Sequence, residues 1–156
     1  MTFEKIINQV ATGSDSQENI LTDGVRTCHY YDIPSIFEYI DNYFSGKGIS
    51  VKNALVFECA NSLPGALTLL YLLNKGYDFL LAPHLQKKGK AHDPKAVIPK
   101  FCRYRLVTET SLKDAPAEWE KHLDKFLSVE KNEQYHNDEG SKEERISGML
   151  CLRTSG

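Results

Sequence analysis

The residues that most clearly suggest chemistry in this chain are Thr154, Ser155 and Gly156. They follow a short apolar run at residues 149–152. A strand that leads into a Thr/Ser/Gly turn can hold phosphate, because glycine permits close approach, hydroxyls donate hydrogen bonds and successive N–H groups form an anion nest. More loop, a basic residue and a helix normally follow such a turn. Since the sequence ends at Gly156, we expect it to stop inside a nucleotide-binding loop.

Two other sets of residues could take part in chemistry, but each has a plainer interpretation. Asn61 and Ser62 could line a ligand cleft beyond a strand end, although a helix N-cap explains them better. Cys59 and Cys151 could be nucleophiles, but both lie in strand-like segments, and burial there favours unreactive thiols. Neither set predicts a catalytic residue.

The sequence gives no sign of a metal or disulfide framework. Its four cysteines are widely separated and form no CxxC pair. The spacing of His84, His92 and Cys102 matches no usual metal site. Free thiols in a reducing compartment are the favoured interpretation.

Composition excludes several function classes. The 156 residues are 41% hydrophobic and 26% charged, as in soluble globular domains, and their number suffices for one domain with a core. A net charge of −2 offers no electrostatic footprint for nucleic acid or an anionic membrane. The longest apolar stretch, residues 67–73, is too short to span a bilayer, and the N-terminus lacks a signal-peptide pattern. We therefore expect a cytoplasmic protein.

The centre of the chain predicts a βαβ unit. Residues 53–59 read as a buried strand, 63–75 as a helix that is apolar on nearly all sides, and 78–83 as a second buried strand. Ser62 is expected to cap the helix and Gly76 to end it. Strand, helix and strand within about thirty residues imply parallel strands joined by a right-handed crossover.

The flanking segments complete an α/β pattern. Asp32 and Pro34 suit the first turn of a helix that ends near residues 46–48. The remaining expected elements are a helix at 3–10, a strand or edge hairpin at 25–31, a strand at 104–109, a helix at 118–129, a flexible linker at 130–145 and a strand at 146–152. Together they predict one α/β unit over residues 1–156, with a mainly parallel sheet and helices on both faces.

Three local patterns resemble the N-terminal part of the adenylate-forming (AMP-binding) superfamily, which includes acyl- and aryl-CoA synthetases, nonribosomal peptide synthetase adenylation domains and luciferases. Their order and approximate spacing fit from about Val25 onward. The patterns are YYDI at residues 30–33 with the Gly48-Ile49 pair after the next helix, LVFECANS at 55–62 with a helix ending in Lys75-Gly76, and LRTSG at 152–156. The last resembles the start of the family's phosphate-binding loop, TSGSTGxPK.

The resemblance implies an incomplete N-terminal lobe of a larger ligase. Such an enzyme uses ATP and Mg²⁺ to convert a carboxylic acid to an acyl-adenylate, then transfers the acyl group to a thiol of CoA or of a carrier protein's phosphopantetheine. Only Thr154, Ser155 and Gly156 match residues with a role in that chemistry, as contacts to the β- and γ-phosphates. The loop lysine, the adenine and acid pockets and the C-terminal domain have no counterpart here, and a basic stretch after Pro83 departs from the family pattern. The chain alone is therefore expected to be inactive.

Two other hypotheses fit the same residues. The chain could be a small complete α/β nucleotide-binding protein, although without a loop lysine and following helix it would bind phosphate weakly. It could also be a non-catalytic interaction module or adaptor that uses an apolar surface as its contact patch.

Overall fold

A computed structural model of the chain describes residues 2–83, 98–108, 119–135 and 150–152. Those residues form a mixed α/β fold. The helices are α1 (Phe3–Thr12), α2 (Ile33–Gly46) and α3 (Leu63–Lys75), with 3-10 segments at Tyr30–Asp32 and Trp119–Lys125. The strands are β1 (Ile20–Thr22), β2 (Thr27–His29), β3 (Ala54–Cys59), β4 (Phe79–Pro83), β5 (Cys102–Thr108), β6 (Leu127–Lys131) and β7 (Leu150–Leu152).

The main sheet is mostly parallel, and β3 lies at its centre. The strand order is β6-β5-β3-β4-β7, and β1 and β2 form a separate antiparallel hairpin. Strand β3 is parallel to both β4 and β5, and β4 is parallel to β7; only β5 and β6 are antiparallel. The predicted parallel βαβ unit, β3-α3-β4, is thus confirmed. After β4 the chain returns to the other side of β3 to form β5.

Alternation along the strands sends residues to two different cores. Leu55 and Phe57 of β3 are fully buried in a large cluster shared with all three helices and the 3-10 segment Trp119–Lys125. Ala54 and Val56 face the opposite way, in a smaller cluster with residues of β4 and β5. The described helices therefore pack on one face of the sheet. Within the described ranges, no helix packs on the other face, where the sequence also predicts helices.

The helix boundaries follow the local signals in the sequence. Ser62 Oγ accepts the N–H of Gly65 at 3.2 Å, and Gly76 adopts φ 76° at the end of α3, as predicted. Asp32 does occupy the N-cap position of α2, but its side chain makes no capping hydrogen bond. Its backbone is already helical because the 3-10 turn Tyr30–Asp32 runs directly into α2.

The predicted helix at 118–129 is wrong. Residues Trp119–Lys125 form 3-10 turns interrupted at His122, where φ is −126° and ψ 44°, and Leu127 begins strand β6. The predicted linker at 130–145 is also wrong at its start, since Glu130 and Lys131 pair with β5. Residues 136–145 lie outside the described residues. Of the strand predicted at 146–152, the structure describes only β7.

None of the helices in the described ranges has the length and apolar character needed to cross a membrane.

Candidate functional site

The carboxyl edge of the sheet is the candidate site. The parallel strands β3, β4, β5 and β7 all end there, at Cys59, Pro83, Thr108 and Leu152. The chain goes from β3 to β4 on one side and from β5 to β6 on the other, so the connections from these two neighbouring strands run in opposite directions. In open α/β sheets, ligands bind beyond the carboxyl ends of strands at such a point.

Polar contacts hold the ends of β3 and β5 together. The Thr108 hydroxyl, which is fully buried, donates to the carbonyl oxygen of Glu58 at 3.2 Å. Beside it, Arg105 of β5 donates from Nε to Glu58 Oε1 at 2.8 Å, and Arg105 Nη2 lies 2.6 Å from the same oxygen. Arg105 Nη1 also donates to Glu130 Oε2 of β6 at 2.7 Å. One guanidinium therefore links three neighbouring strands.

The charged cluster of Glu58, Arg105 and Glu130 stabilises the pairing of these strands. Burial disfavours the Arg105 cation, but its hydrogen bonds to Glu58 and Glu130 outweigh that effect and raise its pKa. The Glu58 and Arg105 side chains are only 13% and 14% exposed. Both Nε and Nη2 of Arg105 contact Oε1 of Glu58, so the two opposite charges compensate each other within the sheet.

The N-terminus of α3 opens at the same edge, and a carboxylate from elsewhere in the chain lies against it. Asp23, in the turn between β1 and β2, accepts the N–H of Leu63 on Oδ2 at 2.8 Å. Its other oxygen accepts the N–H groups of Val25 and Arg26 at 2.9 and 2.7 Å. Together with Ser62 Oγ, Asp23 therefore satisfies two of the free N–H groups at the start of α3.

Electrostatics reinforce this contact. Burial alone would raise the pKa of Asp23, but hydrogen bonds from Leu63, Arg26 and Val25 and from the Arg26 side chain together lower it to about 2. The Asp23–Arg26 pair is largely buried, with side chains 13% and 11% exposed. The Arg26 guanidinium also lies 5.1 Å from the centre of the Phe126 ring. The turn thus connects α3 to the segment just before β6.

The residues predicted to bind phosphate lie outside the described residues. Thr154, Ser155 and Gly156 follow β7 in the sequence, and the structure describes the chain only to Leu152 at this end. Because β7 is parallel to β4, its last residue, Leu152, lies at the carboxyl edge of the sheet. Of the other predicted pair, Ser62 is an N-cap and Asn61 is exposed.

The described cysteines are free thiols without a reactive environment. Cys28 and Cys102 are buried and Cys59 is half-buried. Burial raises the pKa of Cys59, and burial with the nearby Asp32 and Glu120 charges raises that of Cys28 to about 12. A thiolate nucleophile is therefore disfavoured at both positions. The side chain of Cys151 is not among those described. His84 and His92, whose spacing with Cys102 matches no usual metal site, lie outside the described residues. Within the described part of the chain, no three His, Cys, Asp or Glu residues are grouped as metal ligands are.

A groove of about 360 Å³ lies between the helices, away from the carboxyl edge. Its lining comes from α1, α2 and the C-terminal end of α3, and it includes Glu4, Glu38 and Asp41 with Lys75 as the cation. Asp41 accepts the Tyr71 hydroxyl at 2.7 Å. Three carboxylates against one lysine would repel polyphosphate, so this groove does not suit a nucleotide.

Sequence reasoning missed the Asp23 contact and the Arg105 cluster. The Asp23-Gly24 pair is a turn signal between two short strands, and it would have placed the hairpin tip. No local pattern indicates that this tip reaches Leu63, forty residues away.

Comparison with protein-family models, with curated proteins and with solved structures finds no match for this chain.

Proposed function

We propose that this chain is the N-terminal α/β part of an ATP-dependent ligase that activates a carboxylic acid as an acyl-adenylate for transfer to a thiol of CoA or a carrier protein. The observation that carries the proposal is the parallel pairing of β4 with β7. Because of this pairing, β7 ends at Leu152 on the edge where nucleotide ligands of parallel sheets bind. In the sequence, Thr154-Ser155-Gly156 begins two positions after Leu152. The cytoplasm, where ATP and CoA are available, is the location that suits this activity.

The reaction needs positioning more than a protein nucleophile. The substrate carboxylate attacks the α-phosphorus of ATP, pyrophosphate leaves, and the thiol then attacks the acyl carbon and releases AMP. Mg²⁺ would supply charge neutralisation of the polyphosphate. The role proposed for Thr154 and Ser155 is to donate hydrogen bonds to the β- and γ-phosphates, which holds the leaving group and stabilises the charge that develops on it.

The charged contacts at this edge support a scaffolding role for the described part of the chain. Glu58 and Arg105 neutralise each other, and Asp23 occupies the start of α3. These contacts are structural: they join neighbouring strands and hold the start of α3. The proposal therefore assigns none of these three groups a catalytic role, and it expects the 156-residue chain to be inactive alone.

The test is acid-dependent ATP–pyrophosphate exchange by the natural full-length gene product, across a panel of amino, aryl and fatty acids. Thr154→Ala and Ser155→Ala should each lower the exchange rate on the order of 10²-fold. Thr12→Ala, at an exposed residue of α1, is the matched control and should leave the rate unchanged. If none of the acids supports exchange, or if Thr154→Ala and Thr12→Ala exchange at equal rates, the proposal is refuted and the interaction module is favoured.

A further inference from the structure

We infer that Asp23 is an internal anion that closes the N-terminus of α3 to phosphate-bearing ligands, so that the start of this helix is not where the protein holds phosphate. The inference does not depend on the ligase proposal, because it concerns only this chain's own amides and the anion that occupies them. Its basis is the contact of Asp23 Oδ2 with the Leu63 N–H at 2.8 Å.

The position that Asp23 takes is one that ordinarily attracts anions. A helix start presents free N–H groups and the positive end of the helix dipole, and beyond a parallel strand it often receives phosphate. Here three residues separate the end of β3 from the start of α3, beside the point where the connections from β3 and β5 run in opposite directions. The fold alone would therefore predict a phosphate site at the N-terminus of α3.

The groups that would bind phosphate already have partners. The Asp23 carboxylate accepts N–H groups from Leu63, Val25 and Arg26, and the Arg26 guanidinium pairs with it at 3.2 Å. Ser62 Oγ accepts the Gly65 N–H. A phosphate entering here would have to displace a carboxylate that is held by four donors and is 13% exposed. The displaced Asp23 carboxylate would then lie beside the negative charge of the phosphate.

The hairpin holds Asp23 in position through its own hydrogen bonds and its packing on the core. Thr22 Oγ1 accepts the Gly24 N–H at 3.0 Å and donates to the Arg26 carbonyl oxygen at 2.9 Å, which fixes the turn that carries Asp23. Cys28 of β2 is 3% exposed within the main core. Leu21 of β1 also packs against the main core, so both strands of the hairpin are anchored and hold Asp23 against α3.

The test is chemical rescue in the 156-residue chain. Asp23→Ala removes the carboxylate and leaves space, so phosphate or acetate should raise its melting temperature above the value in chloride at the same ionic strength. At an anion concentration tenfold above its dissociation constant, the rise should be about 3–6 °C. Asp23→Asn keeps the volume but not the charge, so it should be destabilised without rescue. Asp15→Ala, in an exposed loop, should respond to anions as the wild type does.

A second measurement covers the case in which Asp23→Ala does not fold. In the wild-type chain, the backbone amide resonances of Leu63 and Gly65 should not shift when inorganic phosphate is added, because those N–H groups are already occupied. Saturable phosphate-dependent shifts at these two amides would overturn the inference. So would an Asp23→Ala chain that folds but gains no more stability from phosphate than from chloride.

Discussion

Replacing Gly65 by alanine should destabilise the protein, even though alanine is the better helix former. Gly65 lies in the first turn of α3, where a Cβ atom would fall far inside the van der Waals distance of the Ala60 carbonyl oxygen. That oxygen belongs to the backbone and accepts the Ser62 N–H at 2.9 Å, so it cannot move without disturbing the entry to the helix. The glycine is required by close approach and not by an unusual backbone angle.

The expected size follows from two opposing effects. Alanine gains at most about 1 kcal/mol over glycine inside a helix. Overpacking against a fixed atom costs about 1–3 kcal/mol, and weakening the Ala60–Ser62 hydrogen bond adds about 1 kcal/mol. The net loss for Gly65→Ala should therefore be about 1–3 kcal/mol in the free energy of unfolding.

The assay is urea unfolding of the 156-residue chain, and Gly46→Ala is the matched control. Gly46 also lies in a helix, the last turn of α2, but a Cβ atom there would have no atom within 4 Å. That variant should be equal to the wild type or up to about 1 kcal/mol more stable. If Gly65→Ala is as stable as Gly46→Ala, the argument from close approach to Ala60 is refuted.

Three further outcomes are expected. Because the pKa of Asp23 is lowered from 3.8 to about 2 in the folded protein, the stabilisation by its carboxylate is fully present above pH 4 and is lost as the pH falls toward 2. Over that range the free energy of unfolding should fall by about 2 kcal/mol in the wild type, and Asp23→Asn should abolish this fall. Ser62→Ala should cost about 1 kcal/mol in urea unfolding through loss of the α3 cap, whereas Ser62→Asn should cost less. Tyr71→Phe leaves the ring in the core but removes the 2.7 Å hydrogen bond to Asp41, so we expect a loss of about 1–2 kcal/mol, and an unchanged unfolding midpoint would contradict that contact.

Elements set by local pattern could be predicted from the sequence. The α3 segment carries a serine cap, a continuous apolar stretch and Gly76 at its end, so its bounds follow from residues within a few positions of each other. The buried strands on either side are short apolar runs, and their closeness along the chain to α3 implies a parallel pair. These inferences need no long-range contact, and the structure confirms them.

The failures occur where a distant partner decides the conformation. Residues 118–129 have helical spacing in their apolar residues, but Leu127 and Val129 pair with Thr108 and Leu106 of β5 and become a strand. Trp119 and Leu123 also reach the core, but they do so from 3-10 turns, so the spacing of the apolar residues imitates an α-helix that does not form. A helical period over so short a segment does not exclude a strand that begins partway through it.

The carboxyl edge shows the same division between local and distant determinants. Its cap at Ser62 was predictable, but the two contacts that define its electrostatics, Asp23 to Leu63 and Arg105 to Glu58, join residues 40 and 47 positions apart. Both contacts neutralise or occupy groups that the sequence alone would leave free for a ligand. An anion that binds at this edge must therefore find donors that neither contact uses. The proposed function assigns that role to Thr154 and Ser155. For this reason the stability of Gly65→Ala and the anion response of Asp23→Ala are informative together: the first tests whether the entry to α3 is as tightly packed as described, and the second tests whether that packed entry is closed to phosphate.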